Sequence, residues 1–91
     1  MEQNSGQAWR EVRLAHPHQW VVFEALTSRS VQDKRVVDAI SVIETSADSE
    51  VAMRQYLKLH RQDHNRELYV VHTDREELDI TERKWLGIRM A

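Results

Sequence analysis

Four consecutive residues, His72, Thr73, Asp74 and Arg75, place a base, a hydroxyl, an acid and a cation at the end of the apolar run Leu68-Tyr69-Val70-Val71. A small ligand-binding protein or enzyme needs that mixture, a proton acceptor beside groups that orient and neutralise. Thr and Asp are also ordinary turn formers, so the same residues equally suit a strand end that leads into a solvated turn. The chain carries five histidines in 91 residues. His60 and His64 stand four apart, a spacing that puts two imidazoles on one helix face and can hold zinc. A metalloprotease motif would need a glutamate directly after the first histidine, and Arg61 occupies that place. His60 is expected to be a buried, hydrogen-bonded histidine. His16 and His18 flank Pro17 in what reads as a connector. No metal, cofactor or catalytic residue is assigned from these patterns.

Among the charged residues, Arg54, Lys58 and Arg61 form a basic stripe on one side of a predicted helix. They could contact an acidic partner or a phosphate, although no aromatic residues interleave with them to stack on bases. Glu24 interrupts an apolar run, and a carboxylate in apolar surroundings gains a raised pKa suited to acid or base work. An edge position, or an arginine across the sheet, accounts for it without chemistry, and Asp38 and Glu44 read the same way. Glu76, Glu77, Asp79 and Glu82 lack the glycine and alternating spacing of a calcium loop and are expected to be a solvated turn. Two glycines, Gly6 and Gly87, cannot build a phosphate loop, a dinucleotide fingerprint or a nucleophile elbow. Nucleotide-dependent and Rossmann enzymes are therefore excluded.

These residues have to be positioned by very little chain. Ninety-one residues support one hydrophobic core, and residues 5–91 are expected to form a single domain after a disordered stretch at 1–4. Thirteen basic and fifteen acidic side chains leave a formal charge of −2, with no long run of either sign. Neither a nucleic-acid footprint nor a polybasic membrane anchor is present. With no cysteine, disulfides, thiolate nucleophiles and cysteine-based zinc sites are ruled out. The first residues have neither a basic flank nor an apolar core, and no apolar run approaches the roughly 20 residues of a membrane helix. A cytoplasmic protein is expected.

Ser5 is a candidate N-cap for a short helix carrying Ala8, Trp9 and Val12, which Pro17 stops. Gln19–Leu26 is β-branched or aromatic in an unbroken run and predicts a strand covered on both faces, Val21, Phe23 and Ala25 on one and Trp20, Val22, Glu24 and Leu26 on the other. The polar residues from Thr27 to Lys34 predict a long loop, after which Arg35–Glu44 predicts the second strand of an antiparallel hairpin. Residues 52–64 repeat at helical spacing, with Ala52, Met53, Tyr56, Leu57 and Leu59 in one apolar arc, and Asn65 is expected to close the last turn. Leu68–Thr73 predicts a third strand, and the alternation over Lys84–Met90 predicts a fourth.

The order helix, strand, strand, helix, strand, strand predicts a two-layer α+β domain. Its long amphipathic helix would lie on one face of a three- or four-stranded, mostly antiparallel sheet. The other face must be covered by the Trp9 helix or by a second copy of the chain. The segments Trp20-Val21-Val22-Phe23-Glu24-Ala25-Leu26, Arg66-Glu67-Leu68-Tyr69-Val70-Val71-His72-Thr73, Leu78-Asp79-Ile80 and Trp85-Leu86-Gly87-Ile88-Arg89, with Tyr56 and Leu59-His60, resemble a group of short bacterial proteins of uncharacterised function. The resemblance spans residues 16–89 and implies a freestanding small bacterial protein; it carries no site residues. The first functional expectation is a non-enzymatic interaction or regulatory module that binds a protein partner or itself as a homodimer. A small-molecule ligand at His72, Thr73, Asp74 and Arg75 is the second. Phosphate or nucleic-acid contact through Arg54, Lys58 and Arg61 is the third.

Overall fold

A strand with no polar face has to be covered on both sides, and Trp20-Val21-Val22-Phe23 has none. In the computed structural model, which describes residues 6–81, this run opens one of the two inner strands of a four-stranded antiparallel sheet. The elements are α1 (Trp9–Ala15), β1 (Trp20–Val31), β2 (Lys34–Ser46), α2 (Ser49–Gln62), β3 (Leu68–His72) and β4 (Ile80–Thr81), with strand order β3-β1-β2-β4. The strand expected at 84–90 and the loose end expected at 1–4 lie outside the described residues, as does Ser5.

The two helices sit on opposite faces of the sheet, which replaces the expected two layers with three. On one face Trp9 and Val12 of α1 pack with Val21, Phe23, Ile40, Tyr69, Val71 and Ile80. On the other, Ala52 and Tyr56 of α2 pack with Val22 and Leu68, and Trp20, Ile43, Leu59 and Val70 adjoin them. Val21, Val22 and Phe23 are fully buried. Each contributes about 1.5–3 kcal/mol by leaving water. The face that α2 leaves bare is thus covered by the chain's own first helix.

Three segments depart from their expected form. The loop foreseen from Thr27 to Lys34 is strand up to Val31, followed by a two-residue turn at Gln32 and Asp33, with Gln32 at φ 56°. Register shifts in the β1–β2 pairing leave Leu26, Asp38 and Ile43 without a partner opposite. Such bulges sharpen the local twist, and the one at Ile43 turns that side chain toward α2. The helix foreseen at 52–64 is the fourteen-residue Ser49–Gln62. It starts earlier because the Asp48 carboxylate accepts the Glu50 N–H at 2.8 Å, while Ser46 Oγ holds the Asp48 N–H at 3.0 Å. It ends without a left-handed Asn65: the Asp63 carboxylate accepts the Asn65 N–H at 2.9 Å. The sheet takes only the Ala52, Tyr56 and Leu59 side of this helix, so Met53 and Leu57 are both 44% exposed rather than buried.

Seven residues are too few for a helix to hold in water alone, and α1 owes its place to contacts with the segment after β3. The Trp9 indole N–H donates to the Arg75 carbonyl at 2.9 Å, and Arg13 Nε donates to the Thr73 carbonyl at 2.9 Å. Ala8 is the N-cap, its N–H held by Glu11 Oε1 at 2.8 Å. The chain reaches α1 through a bridge between Gln7 and Ile40. Gly6 lies at φ 95°, and a Cβ there would stand 2.7 Å from that of Ala39.

Candidate functional site

The segment His72 to Arg75 is built into the dock for α1. Thr73 is 3% exposed, and its hydroxyl donates to the His16 carbonyl at 2.7 Å while accepting the Gln19 N–H at 3.0 Å. Its backbone N–H donates to the Gln19 carbonyl at 2.8 Å. His72 turns to the other face, where its ring meets Trp20 edge-on at 5.1 Å and its Nδ1 accepts the Asp74 N–H at 3.0 Å. Asp74 also pairs with His18 at 2.7 Å, both largely in solvent. Arg75 reaches the Asp79 carbonyl at 3.4 Å. His72 Nδ1 and Asp74 Oδ2 approach each other at 3.7 Å, whereas Thr73 and Arg75 turn to other partners, and none of the four lines either depression described below.

Glu24, Asp38 and His60 are engaged locally as well. Glu24 is paired with Arg66 at 2.8 Å, a hydrogen bond that raises the guanidinium's pKa further. Asp38 is paired with Arg29 at 3.2 Å. His60 is half-buried, not buried: it stacks on Tyr56 at 5.8 Å and on His64 at 4.7 Å, the rings of each pair nearly parallel. Among the described residues no three of His, Cys, Asp and Glu gather closely enough to hold a metal ion.

The most concentrated polar cluster lies elsewhere, across three strands on the α1 face. The Glu67 carboxylate accepts both Nε and Nη2 of Arg35, at 2.9 and 3.0 Å, the Ser28 hydroxyl at 2.8 Å and the Tyr69 hydroxyl at 2.6 Å. Burial by itself would raise the Glu67 pKa. The hydrogen bonds from Arg35, Tyr69 and Ser28 and the charge of Arg35 outweigh it, and the pKa falls to about 2. Burial and the adjoining carboxylate together hold the Tyr69 phenol protonated well above its usual range. A carboxylate held ionised so firmly is no proton donor near neutrality; it fixes the Arg35 guanidinium in a bidentate grip.

Arg35 also stands at the rim of an open depression of 470 Å³ between α1, the start of β2 and the segment before β4. Its lining is mostly apolar, with Trp9, Val37, Leu78 and Ile80, and around them stand Arg10, Lys34, Glu76, Glu77 and Asp79. Lys34 and Asp79 form an ion pair whose hydrogen bond lowers the Asp79 pKa. Asp79 sits at φ 45°, and directly after it Ile80 and Thr81 pair with Arg35 and Lys34. The cleft opens beside that short pairing. An apolar floor with a few charged groups around it is the usual composition of a binding site.

A second depression, of 380 Å³, runs between α2 and β2 and is lined by Glu44, Val51, Arg54, Gln55, Lys58 and Arg61. The structure brings the three cations foreseen as a stripe onto one concave surface, opposite the apolar cleft in the layering. Neither the Glu67–Arg35–Tyr69 cluster nor a cleft of Trp9, Leu78 and Ile80 can be read along the chain, because both depend on which strands are neighbours. The alternation of Glu67 with Tyr69 is the one available signal, since it places both on one side of the chain where it enters β3.

Together these features define an antiparallel-sheet domain with one helix on each face, an apolar cleft on the α1 side and a basic groove on the α2 side. Comparison with family models, curated proteins and solved structures finds no match to this chain. No described helix is long and apolar enough to cross a membrane.

Proposed function

We propose that the chain is a non-enzymatic protein-interaction module whose partner sets an apolar side chain into the cleft between α1, β2 and the segment before β4. The observation that carries this reading is the cleft itself: an apolar floor of Trp9, Val37, Leu78 and Ile80 bounded by charges of both signs. That is the composition of an interface centre with a polar rim. The chemistry of the rim favours recognition over catalysis. Its acids are either paired, as Asp79 is with Lys34, or exposed, as Glu76 and Glu77 are. Among the described residues no serine, threonine, cysteine or histidine lines the cleft.

The test is a selection of displayed random peptides on the immobilised protein, with light scattering of the protein alone over a concentration series. Enriched peptides are expected to share an apolar anchor flanked by charged residues. They should lose binding to Leu78→Glu and to the exposed double variant Glu76→Lys/Glu77→Lys, while far-UV circular dichroism stays unchanged. If the partner is a second copy, the two variants dissolve the dimer instead. A strict monomer that enriches no peptide would sink the reading.

A further inference from the structure

We propose that the groove between α2 and β2 is a second, independent docking surface, and that its occupant is an extended acidic segment of a partner protein. The starting point is where the positive charge of the molecule is left unneutralised. Arg29 pairs with Asp38, Lys34 with Asp79, Arg35 with Glu67 and Arg66 with Glu24. Arg13 is committed to the Thr73 carbonyl and Arg75 to that of Asp79. Arg54, Lys58 and Arg61 have no such partner among the described residues, and all three are exposed on the same groove. Arg10 stands apart from them, at the cleft on the other side of the sheet. In a chain of net charge −2 the uncommitted cations of the described residues are thus concentrated on one surface.

The concentration is unfavourable for the helix. Arg54 and Lys58 are four apart and Lys58 and Arg61 three apart, so like charges adjoin at spacings that destabilise a helix. Arg61, in the last turn, offsets this by facing the negative end of the helix dipole. Arg54 and Lys58 sit too far from that end to benefit. A bound anion relieves the repulsion for all three.

The chemistry of the groove separates a carboxylate partner from a phosphate one. From Arg54 to Arg61 the helix advances about 10 Å, the length of a few extended residues and well short of a duplex site. Glu44 lies in the same groove and repels a continuous phosphate backbone, whereas a peptide can turn an amide N–H toward it. Among the described residues no aromatic side chain lines the groove to stack on a base. Val51 and the stem of Gln55 supply apolar contact to a peptide's side chains.

The test uses a fluorescent peptide of about ten residues, mostly Glu and Asp, titrated with the full chain at low and raised salt, beside a labelled single-stranded oligonucleotide of equal charge. The peptide is expected to bind at low salt and to weaken as salt is added. Lys58→Ala should weaken it about two- to fivefold, as one exposed ion pair does. The triple reversal Arg54→Glu/Lys58→Glu/Arg61→Glu should abolish binding with circular dichroism unchanged. Glu44→Gln should tighten binding, and Arg10→Glu, across the sheet, should leave it unaltered. No peptide binding at low salt, binding that survives the triple reversal, or tighter capture of the oligonucleotide through the same three residues overturns the proposal. Because Leu78→Glu lies on the other surface, the two docking readings fail or stand separately.

Discussion

Replacing Glu67 by glutamine keeps the size of the side chain and removes its charge, leaving Arg35, with a quarter of its side chain in water, facing a neutral amide. A carboxyl pKa lowered from 4.5 to about 2 measures how much better the folded state holds the ionised form. At about 1.4 kcal/mol per tenfold change in the ionisation constant, the difference amounts to about 3 kcal/mol; screening by solvent at the exposed quarter of the side chain reduces it to about 2 kcal/mol. Because the folded pKa is depressed, this stability is fully present above the unfolded value near 4.5 and is lost as pH falls toward 2. Urea denaturation of wild type and Glu67→Gln across that range measures it. The gap between the two proteins should be about 2 kcal/mol near neutrality and should close steadily below about pH 4.5. Subtracting one protein from the other removes the contribution of the remaining carboxylates. A gap that is absent at neutral pH, or one that persists unchanged into acid, refutes the reasoning, since either result means that the Arg35 and Tyr69 contacts do not distinguish charged from neutral Glu67.

Two further substitutions probe the positions of α1 and the segment before it. Thr73→Val removes both hydroxyl hydrogen bonds, to His16 and from Gln19; it should cost about 2 kcal/mol and speed hydrogen exchange in α1, with Trp9 emission shifting to the red, while Thr73→Ser stays near wild type. Equal behaviour of the two variants would show that the hydroxyl does not hold the dock. Gly6→Ala forces a side chain onto a φ of 95° and against Ala39, and should lower stability by about 1–3 kcal/mol, read as a drop in Tm. An unchanged or higher Tm contradicts the tight approach of this residue to β2.

The parts of the fold that could be read from the sequence are those set by neighbours along the chain. The division of Val21, Phe23 and Ala25 from Trp20 and Val22 matches the two packed faces, because the first register shift puts its extra residue, Ile43, into β2 and leaves β1 regular as far as Ala25. The second half of the hairpin could not be read. From Thr27 onward β1 is exposed except at the half-buried Ser28, and a strand so largely in water has the composition of a loop. The helical wheel overstated the apolar arc of α2 for a similar reason: a helix lying flat on a sheet buries a narrow stripe, and Met53 and Leu57 fall outside it. Of the candidate site residues, Arg54, Lys58 and Arg61 share a surface because their spacing follows the helix. Glu67 and Arg35 are 32 positions apart and meet only through the order β3-β1-β2, which no local pattern encodes.

The way α1 is held also sets when it can dock during synthesis. Its indole and guanidinium donors find their carbonyl partners 66 and 60 residues further on. At about 5–20 residues per second a ribosome needs roughly 3–13 s to make that stretch of chain. For most of that interval the Val21 and Phe23 side of the first strand has been made but lacks its own cover, although the hairpin with β2 can already have closed. The nascent chain therefore passes through a window in which an apolar strand face is open to chaperones or to other emerging copies, and the window ends when residues 73–75 leave the exit tunnel.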